Sequence, residues 1–412
     1  MKKVKKKLVI IGSGISGLSA AFYLHKKFEI TLIEENSYLG GHTHTHNLKI
    51  KNEIFNVDSG FIVFNNLNYK CFLQFLHKLK VKFQHSDMSF SVLDKYQNYE
   101  WSGKNLKTIF FTRNIFSLRY WIIIKEIIRF NYITKKYILK NETIDLKVSD
   151  FVKKYKFSQY FLNLYFYPMC ASIWSNPIDE IKNYKMHFIL KFFANHGLIN
   201  IFKKRPTWYT IKNGSNQYVK KIIKLINLRK IINQKVTSVD AKKKIITTHA
   251  NKKIKYDHLI IATHTDDALF FLKEISNDQK KVLNLVKYRK NTAILHTDEK
   301  IMPNNKINWS SWNFIRTKKN FALTYWMNLL QNLKIKTNVF VSINCLEKIQ
   351  PKKIIKIINY KHPVFKNKIE IVEKKIKEIQ GINNIWFVGA WQGYGFHEDG
   401  IKSTRRILDK IK

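Results

Sequence analysis

Acidic residues, arginine, cysteine and long uncharged apolar runs are what this 412-residue chain has little of. Its 29 Asp and Glu face 74 Lys and Arg, a formal net charge of +45. Only nine of those cations are Arg; the excess is Lys, in a background rich in Ile, Asn, Phe and Tyr. An A/T-rich genome favours that mixture, and a surface drawn to anionic lipid is the second reading of it. A nucleic-acid reader would concentrate Arg on a recognition module, and the sequence shows neither, so no nucleic-acid partner is expected. The three cysteines (Cys71, Cys170, Cys345) are too scattered for a disulfide framework or a zinc site, and they suit a reducing cytoplasm. No stretch reaches the roughly 18–20 uncharged apolar residues of a spanning helix. The nearest, Tyr160 to Trp174, contains Asn163 and Pro168 and reads as a buried helix ending near a site. With six prolines, no Pro/Gly/Ser-rich linker and no internal repeat, the chain is expected to form two interleaved subdomains rather than two independent halves.

What is present begins at residue 8. MKKVKKK followed by LVIIGSG imitates the basic and apolar parts of a signal peptide, but the apolar run is short and broken by glycines. Leu8 to Ile11 reads instead as a strand buried on both faces of a parallel sheet. Gly12, Gly14 and Gly17 follow as G-x-G-x-x-G, and Glu34 ends a second apolar run, Ile30 to Ile33. One glycine makes the turn, one admits a pyrophosphate close to the backbone, and one lets the helix pack on the strand. The helix amides then face the phosphates and the acid meets a ribose. Gly12, Gly14, Ile15, Gly17 and Glu34 are therefore expected to bind a dinucleotide. The Gly40-Gly41 doublet that follows resembles that of flavoproteins of the amine-oxidase and phytoene-desaturase type, which implies an extended FAD whose diphosphate passes close to the backbone beyond the second strand.

The motifs DSGFIVFN (Asp58 to Asn65), SDMSFSV (Ser86 to Val92), PMCASIWS (Pro168 to Ser175), Arg205 to Tyr218, AILHTD (Ala293 to Asp298), TYWMN (Thr324 to Asn328) and GYGFHEDG (Gly393 to Gly400) carry a closer resemblance. The chain resembles NAD/FAD-binding, flavin-containing amine-oxidase-like proteins found beside cyclopropane-fatty-acyl synthases. The resemblance implies an α/β fold: a glutathione-reductase-like Rossmann FAD-binding domain (1–66, 206–264, 381–412) with an interleaved mixed α/β substrate domain (67–205, 265–380). It implies FAD as cofactor, hydride transfer from a lipid acyl chain, and a cyclopropane-fatty-acyl-synthase-like methyltransferase as partner. A small-amine oxidase and a non-catalytic flavin-binding accessory are the alternatives.

The resemblance also assigns residues. His42 stands where such families usually carry Arg after the glycine doublet and is expected at the flavin or its phosphates, and Val236 completes the nucleotide contacts. His264 follows Ala262-Thr263 where a glycine is usual. The Gly389 to Gly400 turn is expected to lead into a helix beginning near Asp399-Gly400. Gly400 and Ile401 then offer amides to the flavin pyrimidine edge, Gly389 lies at the turn, and Asp399 caps the helix. Trp391, Tyr394 and Phe396 are expected to line the substrate cavity. HTHTH, read as a strand, places His42, His44 and His46 on one face, but no nearby ligand completes a metal set. Gly60 is expected to permit close approach to the flavin ring, and Asp58 to cap a turn. No catalytic base is assigned: His397 and His187 are considered for it, and each reads more readily as a buried, hydrogen-bonded histidine. Ile115 to Ile138 interleaves Lys and Arg with Ile, Phe, Trp and Tyr; it reads as a helix covering the cavity or lying on a membrane.

Overall fold

The computed structural model describes residues 5–103, 113–139, 144–174, 176–199, 206–316, 321–345, 349–364 and 369–412. Ser175 and Arg205, quoted in the motifs above, lie outside the described residues. Five parallel strands form one sheet: β1 (Lys7–Ile11), β2 (Glu29–Ile33), β3 (Arg229–Ile231), β4 (His258–Ile261) and β5 (Ile385–Phe387), in the order β3-β2-β1-β4-β5. This is the order of a doubly wound nucleotide fold, whose ligands sit beyond the carboxyl ends of the strands where the winding reverses. Alternate side chains feed two separate cores. Leu8, Ile10, Ile30, Leu32 and Ile260 pack with helix α1 (Ile15–Leu24), while Val9, Ile11, Ile33, Leu259, Ile261 and Phe387 pack on the other face. Both faces are covered, which is why the strand sequences are apolar without alternation.

The chain leaves this sheet after β2 and returns at β3, then leaves after β4 and returns at β5. Both excursions supply a seven-stranded sheet in the order Ile354–Val364, Lys287–His296, Phe340–Ile343, Phe321–Trp326, Trp312–Arg316, Phe90–Asp94, Tyr99–Ser102. The last two strands come from the first excursion, which reads as mostly helical in sequence. Phe90–Asp94 is buried at every position, so it carries no alternation by which to recognise a strand. Against the sheet pack helix α2 (Leu118–Leu139), helix α3 (Tyr167–Trp174) and a core of aromatic rings around Phe130, Phe161 and Phe193.

Tyr160 to Trp174 is one interrupted helix. Pro168 has no N–H for the carbonyl four residues back, and residues Leu162–Phe166 open into a π turn. The Leu164 carbonyl accepts instead from Trp101 Nε1 at 2.8 Å. The interruption thus pins α3 to the strand carrying Trp101. No helix among the described residues is long and apolar enough to cross a membrane.

Candidate functional site

One cavity of about 1530 Å³ runs from the β1–α1 loop to the seven-stranded sheet. Small-molecule pockets usually hold roughly 300–1,000 Å³, so this one has room for an extended dinucleotide and a second molecule.

At the loop, the three glycines do different work. Gly12 sits at φ +98°, and a Cβ there would meet the Ala262 carbonyl at 2.8 Å. At Gly17 a Cβ would lie 2.0 Å from the Gly12 oxygen and 3.2 Å from Ala262 Cβ, so its absence seats α1 on β4. Gly14 has an ordinary φ of −65°, and a Cβ built on it touches nothing within 4 Å. Gly14 is free of backbone constraint; what it keeps open is the cavity. Helix α1 begins there without a capping side chain or an acidic residue in its first turn, so its first amides are available to an anion. Gly40 (φ +128°) and Gly41 (φ +58°) both line the cavity, and a Cβ on Gly41 would come 3.2 Å from Gly14 Cα. The doublet therefore packs on the loop itself.

Glu34 is buried at the end of β2 and its carboxylate is fully engaged. Oε2 accepts from the Ser13 N–H (2.9 Å) and hydroxyl (2.6 Å), and Oε1 from the Asn36 N–H (2.9 Å) and side-chain amide (2.8 Å). Ribose hydroxyls reaching Glu34 would exchange with the Ser13 hydroxyl or Asn36 amide, two residues that sequence reasoning missed. Val236, opening the strand Val236–Asp240, lines the same end with Gln234 and Lys235.

His42 also lines the cavity, though not on a strand: the hairpin begins only at Thr45. The three histidines therefore do not share one face. His44 and His46 lie tilted against each other at 4.2 Å, and their ring nitrogens meet Tyr360 OH (3.3 Å) and Ser59 Oγ (2.8 Å). His42 instead stacks on Tyr360 (5.0 Å), with His362 at 5.3 Å and His264 at 5.9 Å. Burial pushes His264 and His362 down to about 3 and lowers His42 too, so all three are neutral. The His42 Nε2 is buried without a hydrogen-bond partner. A dinucleotide diphosphate fits here: helix α1 begins uncapped, and the space over Gly14 is open beside the Gly40-Gly41 doublet. Among the described residues, His264, Asp266 and Asp267 bring metal-ligating atoms within 4.8 Å of one another. Lys361 already pairs with both carboxylates, at 3.1 and 2.8 Å.

Asp58 lies beneath the cavity wall, buried among Thr45, Ser215 and Gln331, where desolvation pushes its carboxyl up to about 6. It accepts the Ser215 N–H and so ties the hairpin to the start of helix Asn216–Leu225. Gly60 lines the cavity where a Cβ would strike the His42 carbonyl at 2.2 Å, and Phe61 beside it stacks on His397 at 3.5 Å.

The C-terminal turn differs from its sequence-based expectation. Helix α4 spans His397–Arg405, with Phe396 as N-cap, beginning before Asp399. The Gly400 N–H donates to the Phe396 carbonyl (3.1 Å), and Ile401 is wholly buried inside the helix, so neither offers an amide to the cavity. The amides at the open end belong to His397 and Glu398. Gly400 has another role: a Cβ there would meet Ile15 Cγ2 at 2.7 Å, so the glycine lets α4 lie against α1. Asp399 does cap, accepting the Tyr394 and Phe396 N–H groups at 3.0 Å. An acid three residues beyond an N-cap is the signal that locates this start. Glu398 caps a different helix, Lys70–Lys78, through the Cys71 and Phe72 amides.

Gly389, Trp391 and Phe396 line the cavity. Tyr394 does not: it lies outside the lining and stacks on Phe188 at 5.4 Å. His397 lines the cavity with Nε2 on Thr43 Oγ1 (3.0 Å), while His187 sits away from it beside Glu370. His196 was missed. It is a cavity residue whose Nδ1–H donates to the Phe192 carbonyl at 2.9 Å, and burial holds its pKa down at about 4. That bond fixes the neutral tautomer with its lone pair on Nε2.

The opposite wall is apolar. Ile123, Ile124, Ile127 and Ile128 of α2, with Met169 and Ile173, face Phe90, Trp101, Trp312 and Tyr325 across the space. Asp87 is the carboxylate on this wall, and its Oδ1 is held by the Ser89 N–H and hydroxyl and by Ser311.

A family model for flavin containing amine oxidoreductase matches residues 15–328, from the first turn of α1 to the end of the strand Phe321–Trp326. No curated protein sequence matches the chain. Among solved structures, the chain is similar in fold to a CLA-producing fatty acid isomerase from P. acnes: 11% identity, TM-score 0.67, covering 98% of each chain. A cyclohexylamine oxidase from Brevibacterium oxydans IH-35A matches at 11% identity and TM-score 0.67, covering 99% of this chain and 98% of that one. A reduced UDP-galactopyranose mutase matches at 14% and 0.66, covering 98% and 96%. An open nucleotide fold, a cavity long enough for a dinucleotide and its substrate, and a match over most of its length agree: the chain belongs to the flavin containing amine oxidoreductase family, whose members are FAD-dependent oxidoreductases.

Proposed function

We propose that this FAD-dependent oxidoreductase acts on a long apolar substrate, oxidising or desaturating a lipid acyl chain. FAD lies along the loop wall in this reading. Glu34 and Val236 meet its nucleoside, and the amides of Ile15, Ser16 and Gly17 with His42 meet its diphosphate. His397 and Glu398 turn the α4 amides toward its ring, beside Gly60 and Gly389. When bound, FAD supplies the hydride acceptor. The chain's own residues orient the substrate, exclude water and take the proton. The isoleucines of α2 and the rings of Trp101, Trp312 and Tyr325 hold an alkyl chain, and His196 Nε2 is the proton acceptor. His397 is the weaker candidate, because its Nε2 is already bonded.

The observation that carries this reading is the contrast within the cavity. Its polar groups cluster at the loop end, and its far end is apolar apart from Asp87 and a few hydroxyl and indole groups. A small ammonium substrate would meet only the rings of this wall and Asp87, whose Oδ1 is already hydrogen-bonded to Ser89 and Ser311, and would leave most of the apolar surface unfilled. Helix α2 adds a route for a lipid. Tyr120, Ile123 and Ile124 face the cavity, while Leu118, Trp121, Ile128 and Tyr132 are exposed, with Lys125 and Lys135 between them. The reading extends to peripheral docking on an anionic membrane through this helix. A cyclopropane-fatty-acyl-synthase-like methyltransferase is the partner that the family resemblance suggests.

Anaerobic mixing of FAD-loaded protein with monounsaturated and saturated acyl lipids tests the function. Bleaching of the oxidised flavin band, slowed by His196→Ala with unchanged substrate affinity, is expected. Bleaching by alkylamines but no acyl lipid would overturn it.

A further inference from the structure

The two oxygens of Asp87, the carboxylate on the apolar wall, are held differently. Oδ1 accepts three hydrogen bonds, from the Ser89 N–H (2.8 Å), the Ser89 hydroxyl and the Ser311 hydroxyl (2.8 Å). Those donors are tied to each other and to the sheet. Ser89 Oγ accepts the Ser311 N–H at 3.0 Å, and the Ser89 carbonyl accepts the Trp312 N–H at 3.0 Å. On the other side, the Ser86 N–H donates to the Trp208 carbonyl (2.9 Å) and the Ser86 hydroxyl to the Leu330 carbonyl (2.5 Å). Asp87 is thus pinned between the strand ending at His85, the strand beginning at Phe90 and the turn before Trp312. Oδ2 has no hydrogen-bond partner among the described residues, and it is not sealed in the interior. Asp87 is half-buried and lines the cavity, so this oxygen is open to it. Met88, Phe90, Trp312 and Tyr325 share that wall. The Trp208 ring beside it stacks on His196 at 6.1 Å, so the open oxygen and the proposed proton acceptor border one strand, Trp208–Ile211.

A carboxylate oxygen accepts and cannot donate. An unsubstituted alkyl chain laid across Oδ2 removes its solvent and returns no hydrogen bond, which is unfavourable. An acyl carbonyl is itself an acceptor and is repelled. A hydroxyl has one proton to give and needs one acceptor, which Oδ2 supplies. An alkylammonium has three protons to place against a single open carboxylate oxygen, and it approaches a chain of net charge +45.

We propose that Asp87 Oδ2 selects lipids that carry a hydroxyl group, accepting its O–H and so fixing the register of the chain along the cavity. The inference rests on the acyl reading above and deepens it by naming the polar group of the substrate. A hydroxyl on the acyl chain and one on a glyceryl ester at its end offer the same donor. The three bonds to Oδ1 make the acceptor rigid, so a displaced hydroxyl is not followed by the side chain.

The test is equilibrium binding to the FAD-loaded protein, read from calorimetry and from the perturbation of the flavin spectrum. The probes share one chain length: the alkane, the methyl ester, a positional series of hydroxy esters, their O-methyl ethers, the monoacylglycerol and the primary alkylamine. At least one hydroxy ester, or the monoacylglycerol, is expected to bind about tenfold more tightly than the plain ester. O-methylation should remove that gain, because the ether keeps the oxygen and loses the donor. Asp87→Asn keeps an oxygen for Ser89 and Ser311 and replaces the open one with an amide nitrogen. It should erase most of the gain and leave the Kd of the alkane and the plain ester unchanged. The ether comparison is made in the wild-type protein and holds whether or not the variant folds. Gain for a hydroxy ester identifies the acyl chain as the source of the hydroxyl, and gain for the monoacylglycerol identifies the ester alcohol. Equal affinity for hydroxy and methoxy probes would overturn the inference, as would tightest binding of the alkylamine, lost in Asp87→Asn. If acyl lipids bleach the flavin but none gains from a hydroxyl, the role of Asp87 falls and the proposed function stands. If hydroxy lipids bind through Asp87 without bleaching, acyl oxidation falls and the role of Asp87 stands.

Discussion

The two ends of the cavity are built by different means. At the loop end, the determining residues lie within 35 positions of one another, and backbone geometry does most of the work. Gly12 needs its positive φ, Gly17 its missing Cβ, and α1 its bare N-terminus. At the far end no stretch of chain makes the wall alone: α2, α3 and strands drawn from both excursions each contribute a few side chains. The first arrangement, an uncapped helix start beside a buried acid, suits an anion and a ribose. The second is a packed surface to which several distant elements each bring a few side chains. Cofactor identity is thus a local property of this chain and substrate identity a tertiary one.

The largest effects separate packing from ligand space within the loop itself. Gly17→Ala puts a Cβ 2.0 Å from a backbone oxygen and is expected to cost about 3 kcal/mol or more, lowering the melting temperature of the apoprotein. Gly14→Val puts side-chain atoms where nothing stands within 4 Å of the Cβ, so the apoprotein should melt near the wild-type temperature and bind no FAD. Thermal melts with and without FAD read both. If Gly14→Val retained FAD, the diphosphate would lie elsewhere.

Acid should strain the loop end next. An imidazole whose folded pKa lies below its ordinary 6.5 is protonated in the unfolded chain first. Stability is then whole above about pH 6.5 and falls as pH drops toward 3, by up to about 1.4 kcal/mol per pH unit for each such group before solvent screening. His264, His362 and His46 (about 3) and His44, His196 and His296 (about 4) all act in that direction. Asp58 and Asp399, pushed up to about 6, act oppositely, gaining stability as pH falls from about 6 to 4. The histidines outnumber them, so urea midpoints of the apoprotein should fall between pH 6.5 and 4. The FAD-loaded protein should lose less, because a diphosphate beside His42, His264 and His362 favours their charged forms. Equal losses would take the diphosphate away from the histidine trio.

What could be read before the structure follows the same division. Strands β1 and β2, the tight turn at Gly12 and the close packing at Gly17 were legible because each is signalled within a short window. The partners of those residues were not. Ser13 and Asn36 hold Glu34 through ordinary polar side chains, and His264 and His362 reach His42 from more than 200 residues away. The start of α4 was misplaced because its cap is a phenylalanine backbone supported by Asp399, without the usual Ser, Thr, Asp or Asn. Tyr394 was placed at the cavity on proximity in sequence, and the turn sends its ring outward to Phe188. His196 had no signal, since burial and partner are tertiary facts.

A moderate effect checks the ribose acid. Glu34→Ala removes an acceptor and frees Ser13 and Asn36, so FAD affinity should fall by about 1.5–3 kcal/mol without being abolished. Restoring part of that loss with Glu34→Gln would be expected, because the amide oxygen can still accept. A loss as complete as that of Gly14→Val would mean that Glu34 builds the loop rather than contacting the ligand.

The smallest effect concerns the far end and the membrane. Trp121 and Ile128 lie on the exposed stripe of α2 and Ile122 on neither the stripe nor the cavity wall, so Trp121→Ser with Ile128→Ser is the informative pair. Docking through this helix combines burial of those side chains with roughly 1 kcal/mol per engaged Lys or Arg, and salt removes only the second contribution. In co-sedimentation with anionic vesicles, the double variant should bind about tenfold more weakly at both low and high salt. A surface whose lysines merely reflect composition would instead release vesicles completely at high salt and ignore the substitutions. Since Ile128 also faces the cavity, Trp121→Ser alone should lower vesicle binding while leaving FAD affinity and the alkane Kd unchanged, which separates a lipid-facing stripe from a disturbed substrate wall.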